Sequence, residues 1–348
     1  MSESSKQPVT PAENQPLPPE TTPATTTAGD HVTAAEQAQA TPAPAQKQTG
    51  QGQMKRRSFL RGCLISSIVT PLSVGALGAG TYYYARNIEP GWIDITHHQM
   101  RLAQLGSAFH GYRIVQITDI HADVKFMTEE RVIDIVNTVN QLQADIIVIT
   151  GDFVTTYVPG LTNTLAKLSA LRAKDGVFGV LGNHDHPAGV EWVRSGLRQG
   201  NVKELPNMTY TLRRGDQMLH LVGMDDLWPE NEGTPAPIWS HLSLLNQLTD
   251  SLPAEGAAIL LVHEPDFADV AASNKRIALQ LSGHSHGGQV CIPLHGPIFL
   301  PVLCRKYPSG LYNIDNLQLY TNRGLGILEL PIRFDCRPEI AVFDLSAA

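Results

Sequence analysis

Two of the chain's 13 histidines, His284 and His286, flank a single serine in "LSGHSHGGQV", residues 281–290. Apolar residues lead in and glycines follow, the pattern of a buried strand breaking into a tight loop. Two imidazoles at i and i+2 on such a loop can point into one site and hold a cation. On their own they are equally readable as a polar loop. The motif does not stand alone, however. "YRIVQIT" is followed by Asp119 and His121, and "ADIIVIT" by Asp152. "GVFGVL" runs into Asn183, His184 and Asp185, and "AAILLV" into His263. Carboxylates, imidazoles and one amide, with no thiolate, suit Mn, Fe or Zn. There are too many donors for one tetrahedral ion. They divide naturally between two cations sharing a carboxylate, which is the arrangement that clamps the attacking and leaving oxygens of a phosphoryl group.

Convergence requires those five strand ends to share an edge. The stretch "TEERVIDIVNTVNQLQ" (128–143) places Val132, Ile135, Val136 and Val139 at helical spacing, with Thr128 able to cap. The resulting βαβ alternation over residues 112–182 predicts parallel strands with right-handed crossovers. Ligands of open α/β sheets bind beyond the carboxyl ends of such strands. Residues 210–223 read as a hairpin turning at Arg214-Gly215-Asp216, and 311–322 as a second turning at Asp315-Asn316. Antiparallel pieces beside parallel ones predict an α/β fold of two mixed β-sheets packed as a sandwich, with helices outside.

Composition narrows the chemistry. The 348 residues are 42% hydrophobic and carry a formal net charge of −7, with no basic face in the sequence. A nucleic-acid partner is therefore not expected. No Gly-Lys dipeptide supplies a Walker A lysine, no strand–GxGxxG–helix unit occurs, and the motifs read without a serine-hydrolase elbow. Cys63, Cys291, Cys304 and Cys336 form no metal-binding pair; they leave room for one disulfide among the last three, or for buried free thiols.

Residues 1–53, rich in Pro, Thr, Ala and Gln, cannot repay the entropy of folding. In residues 54–85, Lys55, Arg56, Arg57 and Arg61 precede 24 uncharged residues. That layout resembles a twin-arginine export signal, either cleaved or kept as a membrane anchor. Because Met54 opens the signal, residues 1–53 are expected to be a dispensable extension or a misassigned start. The catalytic domain is then expected over 86–348, outside the cytoplasm.

D-x-H, G-D, G-N-H-D, a lone strand-end His and G-H-x-H, in that order over residues 112–290, resemble the calcineurin-like metallophosphoesterase superfamily. "EPGW" (89–92), "DLW" (226–228), "HEPD" (263–266), "GHSHGGQ" (283–289) and the closing "NRGLG…CRPE" are similar to its twin-arginine-exported phosphodiesterases of the YaeI/YkuE type. The resemblance implies two divalent metal ions. Asp119, His121 and His286 would hold one, Asn183, His263 and His284 the other, and Asp152 would bridge them. It implies hydrolysis of a P–O bond by a metal-bridging hydroxide, with His184 as acid or transition-state stabiliser, oriented by Asp185. The implied substrate is a small phosphodiester or a lipid phosphate. Alternatives are pyrophosphate cleavage of a lipid-linked nucleotide such as UDP-2,3-diacylglucosamine, and a non-catalytic scaffold marked by degenerate ligands. Gln289 and Arg323 could touch substrate phosphate but are read as exposed polar loop residues, and His186 as a structural neighbour of the motif.

Overall fold

The computed structural model describes residues 76–227, 237–328 and 330–348. The segment 1–53, most of the signal-like stretch (54–75) and Trp228 of "DLW" lie outside the described residues. Residues 76–87 are helical, and among the described residues no helix is long and apolar enough to cross a membrane.

Two six-stranded sheets carry the fold. The first runs in the order β1 (Asp94–Leu102), β14 (Glu339–Ala347), β2 (Arg113–Ile117), β3 (Ile146–Thr150), β4 (Val177–Val180) and β5 (Val202–Glu204). Strands β2 to β5 are parallel, as the βαβ alternation requires; β14 lies antiparallel to β2 and parallel to β1. The second sheet runs β12 (Gly310–Ile314), β13 (Leu317–Thr321), β9 (Ile277–Ser282), β8 (Ala257–Leu261), β7 (Gln217–Gly223) and β6 (Met208–Arg214). Its two edges are the expected hairpins, turning at Gly215-Asp216 and Asp315-Asn316. A short ribbon, β10 (Cys291–Ile292) with β11 (Gly296–Pro297), stands apart.

The twofold period of a strand explains the layers. From β2 and β3, Ile114, Ile146 and Val148 point inward and meet Leu219, Leu221, Ile259 and Leu281 of the other sheet. Their neighbours Val115, Ile117, Ile147 and Ile149 face outward onto Val132, Ile135, Val136 and Val139 of α1 (Glu129–Gln141) and onto α2 (Leu161–Ala166) and α3 (Asp185–Gln199). On the far side, Val222, Ala258 and Leu260 pack against α4 (Leu242–Asp250) and α5 (Ala268–Ala271). Four layers result, helices enclosing a mixed-sheet sandwich. One local expectation changes. Thr128 does stand at the N-cap of α1 with extended backbone, but its side chain makes no cap hydrogen bond. Its hydroxyl instead helps, after Glu130's own backbone N–H, to hold the Glu130 carboxyl below the usual range.

Candidate metal centre

The loops leaving β2, β3 and β4 in one sheet, and β8 and β9 in the other, meet at a single rim. Asp119, His121, Asp152 and His286 bring their donor atoms within 4.8 Å of one another, and so do Asp152, His263 and His284. Asp152 belongs to both clusters. Its Oδ2 lies 3.3 Å from His121 Nε2 and 3.2 Å from His263 Nε2. Asp119 Oδ1 lies 3.2 Å from His286 Nε2, and the Nε2 atoms of His121 and His286 are 3.0 Å apart. All six side chains are buried.

Holding six polar groups this close strains the backbone. Asp119 (φ 49°), His121 (48°), Asp152 (53°), His284 (68°) and His286 (49°) all adopt left-handed conformations, each costing about 1–3 kcal/mol and characteristic of functional sites. Hydrogen bonds between the loops offset that cost. Asp119 N–H donates to Gly151 O at 3.0 Å and His121 N–H to Asp152 O at 2.9 Å. His284 N–H donates to the Asp119 carboxylate at 3.1 and 3.2 Å, tying one sheet's loop to the other's. Two motif glycines are required by space. A Cβ on Gly283 would stand 2.2 Å from Thr118 Oγ1 and 2.3 Å from Asp119 Oδ2; one on Gly182 would stand 2.4 Å from Asp152 Oδ1.

The outer nitrogens of His263, His284 and His121 are engaged, which fixes those rings and leaves the other nitrogen of each for the centre. His263 Nδ1 donates to Thr150 O at 2.7 Å, His284 Nε2 to Val302 O at 2.8 Å, and His121 Nδ1 lies 3.3 Å from Thr155 Oγ1. Burial pushes His284 and His286 down to about 4, so both rings are neutral and keep a lone pair. Burial alone would raise Asp119 and Asp152, but the surrounding imidazoles outweigh it and hold both carboxyls well below the usual range.

Do these residues fit a pair of cations? Asn183 Oδ1 is buried with no hydrogen-bond partner, a costly condition unless something else takes its lone pairs. Two imidazole nitrogens 3.0 Å apart beside two ionised carboxylates pose the same problem. An oxygen- and nitrogen-binding divalent ion in each cluster resolves it, so the donor set fits.

His184 lies at the edge of the clusters rather than within them. Its backbone N–H donates to Asp152 Oδ1 at 2.9 Å, its Nδ1 lies 3.2 Å from Thr155 O, and its ring packs edge-on to His121 at 4.9 Å. The part implied for Asp185 is corrected here. Its carboxylate accepts from the backbone N–H groups of Phe153 (2.9 Å), Val154 (3.2 Å) and Gly182 (3.0 Å), and the Thr155 carbonyl is what engages the His184 ring. Asp185 therefore fastens the Asp152 loop to the Asn183 loop. Burial, and then the charge of Asp152, push its carboxyl up to about 7.

Another reading is corrected in its letters. Residues 283–287 do spell Gly-x-Ser-x-Gly, the pattern of a serine-hydrolase elbow. The buried Ser285 hydroxyl donates to Pro308 O and accepts from Gly287 N–H, which makes it a turn-former rather than a nucleophile beside a base. Gln289 pins Leu328 and Leu330, Arg323 pairs with Glu339 and Asp94, and His186 bonds Asp225. Cys291, Cys304 and Cys336 are free thiols.

Arg333 is the positioning residue that motif reading misses. It is completely buried, donates to the carbonyls of Arg323, Gly324, Gly326 and Cys336, and brings Nη2 to 3.4 Å from His286 Nδ1. A lone cation inside the apolar run "ILELPIRF" was the available signal, since an unpaired charge rarely sits there without a task. A cavity of 520 Å³ opens beside the centre, with His184 and His286 in its wall. A larger groove of 820 Å³, near Asn140, Lys174 and Tyr210, contains none of the clustered residues.

Comparison with known proteins gives the same outline. Residues 112–288 match the family model described as calcineurin-like phosphoesterase. The chain is 37% identical over 306 residues to the uncharacterized metallophosphoesterase YkuE of Bacillus subtilis (strain 168), covering 84% of this chain and 98% of that protein. It is 27% identical over 296 residues to phosphodiesterase YaeI of Escherichia coli (strain K12), covering 84% and 99%.

Proposed function

The chain belongs to the calcineurin-like phosphoesterase family of metal-dependent phosphoric ester hydrolases, and from that premise we propose that it is a phosphodiesterase working through a dinuclear centre. The observation that carries this reading is the membership of Asp152 in both donor clusters. A shared carboxylate would let one side chain serve two neighbouring ions, the arrangement that phosphoryl transfer uses. When bound, two divalent ions would supply Lewis acidity toward the phosphoryl oxygens and lower the pKa of a water between them.

The remaining work falls to the chain. Asp119, His121, Asp152 and His286 form one group of donors, and Asp152, His263 and His284 the other, which the buried Asn183 Oδ1 would complete. Dry, strained loops hold them before substrate arrives, so little reorganisation is needed during reaction. Water adds at phosphorus while the bond to the leaving alcohol's oxygen breaks in line. His184, its Nδ1 engaged by the Thr155 carbonyl, has Nε2 left to deliver a proton to that oxygen, and the surplus proton of water goes to solvent. A complete donor set also separates this chain from a scaffold with degenerate ligands. Likeness to the phosphodiesterase YaeI supports diesters over monoesters.

The test is direct. The full-length protein supplied with Mn²⁺ is expected to hydrolyse bis-p-nitrophenyl phosphate, and chelation is expected to cut the rate at least about 10³-fold. Turnover that survives complete metal removal would end this reading.

We further propose that the enzyme is exported by the twin-arginine machinery and acts outside the cytoplasm, supported by the Lys55, Arg56, Arg57 and Arg61 cluster ahead of its uncharged stretch. Replacing Arg56 and Arg57 together by lysine is expected to strand the protein in the cytoplasm on cell fractionation. Unchanged extracytoplasmic recovery of that variant would refute the route.

A further inference from the structure

The wall of the 520 Å³ cavity changes character over a few ångströms. Its inner end carries His286, a member of the first donor cluster, and His184 beside it, while Val290, Ile298, Phe299, Leu328, Leu330 and Ile332 make up most of the remainder. The volume falls within the range of ligand pockets. A small hydrophilic diester would occupy the inner end and leave that apolar wall wet, a waste of buried surface.

The approach to the cavity is apolar too. Phe299 is 70% exposed and Ile298 63% exposed, and Leu330 is exposed beside them. The β10–β11 ribbon next to Ile298 holds Ile292 and Leu294 in solvent, with Leu294 at its tip in a left-handed conformation (φ 68°). Large apolar residues concentrated at one mouth mark a binding surface rather than scattered surface chance. The segment 330–334, which contributes Leu330 and Ile332, also receives the entering chain. Ala85 O accepts from Arg333 N–H at 2.8 Å, and Tyr84 packs edge-on to Phe334 at 6.5 Å. Tyr84 and Ala85 therefore join the fold beside this same mouth.

Resting on the phosphodiesterase reading, we propose that the cavity is the site for the hydrocarbon chain of an amphiphilic phosphodiester, whose phosphate lies at the metal centre beside His184 and His286. The occupant is the substrate itself, because the cavity and the reacting phosphate share those two histidines. A chain of methylenes complements the apolar wall at one end, and the polar cluster complements a phosphate at the other.

The experiment uses the full-length, Mn²⁺-loaded protein and p-nitrophenyl alkyl phosphodiesters from methyl to dodecyl, kept below their micelle concentrations. kcat/KM is expected to rise at least about tenfold from methyl to dodecyl, less than complete chain transfer at about fourfold per methylene would give. In an Ile298→Ser, Phe299→Ser double variant, the dodecyl-to-methyl ratio is expected to collapse to within about twofold of unity. The ratio is internal to each protein, so losing folded enzyme or metal lowers both esters alike and leaves it unchanged. Calorimetry in chelator supplies a readout without turnover. Dodecyl phosphate should bind more tightly than methyl phosphate with a negative heat-capacity change, and the double variant should lose that difference. A flat chain-length profile with methyl-ester hydrolysis intact overturns this proposal and leaves the phosphodiesterase reading standing. An unchanged ratio in the double variant overturns it as well. Failure to hydrolyse any ester removes both.

Discussion

Asp152→Ala is expected to abolish turnover, by at least about 10³-fold or about 4 kcal/mol of transition-state stabilisation, and to empty both metal positions together. A single carboxylate stands within 3.3 Å of His121 Nε2 and 3.2 Å of His263 Nε2, and is the member common to both donor clusters. Its other oxygen receives the His184 backbone N–H. Deleting it removes a donor from each ion and unfastens the loop carrying the proposed acid. It also leaves two buried imidazoles facing an uncompensated gap. Elemental analysis of the purified variant, alongside bis-p-nitrophenyl phosphate hydrolysis, reads both losses. A variant that keeps one ion per chain at full occupancy would show that Asp152 does not bridge.

His184→Ala separates chemistry from ligation. Loss of a positioned proton donor is expected to lower kcat by about 10²–10⁴-fold. Metal content should stay near that of the wild type, because the His184 ring belongs to neither donor cluster. The backbone N–H that holds Asp152 survives the substitution. KM for a small diester is expected to move little, since the imidazole would act mainly on the departing oxygen. Should metal and activity fall in proportion, His184 is a ligand and the division of labour drawn above is wrong.

Strand ends are legible in a sequence because two patterns change at once there: an apolar run stops, and Asp, Asn or His begins. That is why Asp119, His121, Asp152, Asn183, His263, His284 and His286 could be singled out, and why the helix at 129–141 and both hairpins stand where periodicity and turn residues put them. Partners made through the backbone are invisible by the same logic. Asp185 follows His184 in "GNHD", so adjacency suggested that it orients that ring, yet its carboxylate reaches three N–H groups from two different loops. The actual partner of the ring, Thr155, acts through a carbonyl oxygen, a group every residue possesses and no pattern can flag. Arg333 was hidden for a related reason. Its partners are main-chain carbonyls gathered only after residues 323–336 fold around it. Thr128 shows the limit of local rules, since a capping residue in the right place bonded elsewhere.

Among the described residues, the strand furthest along the sequence does not sit at an edge. β14 (Glu339–Ala347) is inserted between β1 and β2, paired along nine positions with the former and four with the latter. While the ribosome still holds those residues, β2 has an open flank, and the loop bearing Asp119 and His121 hangs from an unfinished sheet. The donors contributed by residues 119–286 are thus all made before the framework that aligns them can close. Assembly of the ion-binding rim is consequently coupled to a long-range pairing of the slow kind, and is complete only once residues 339–347 have joined the sheet.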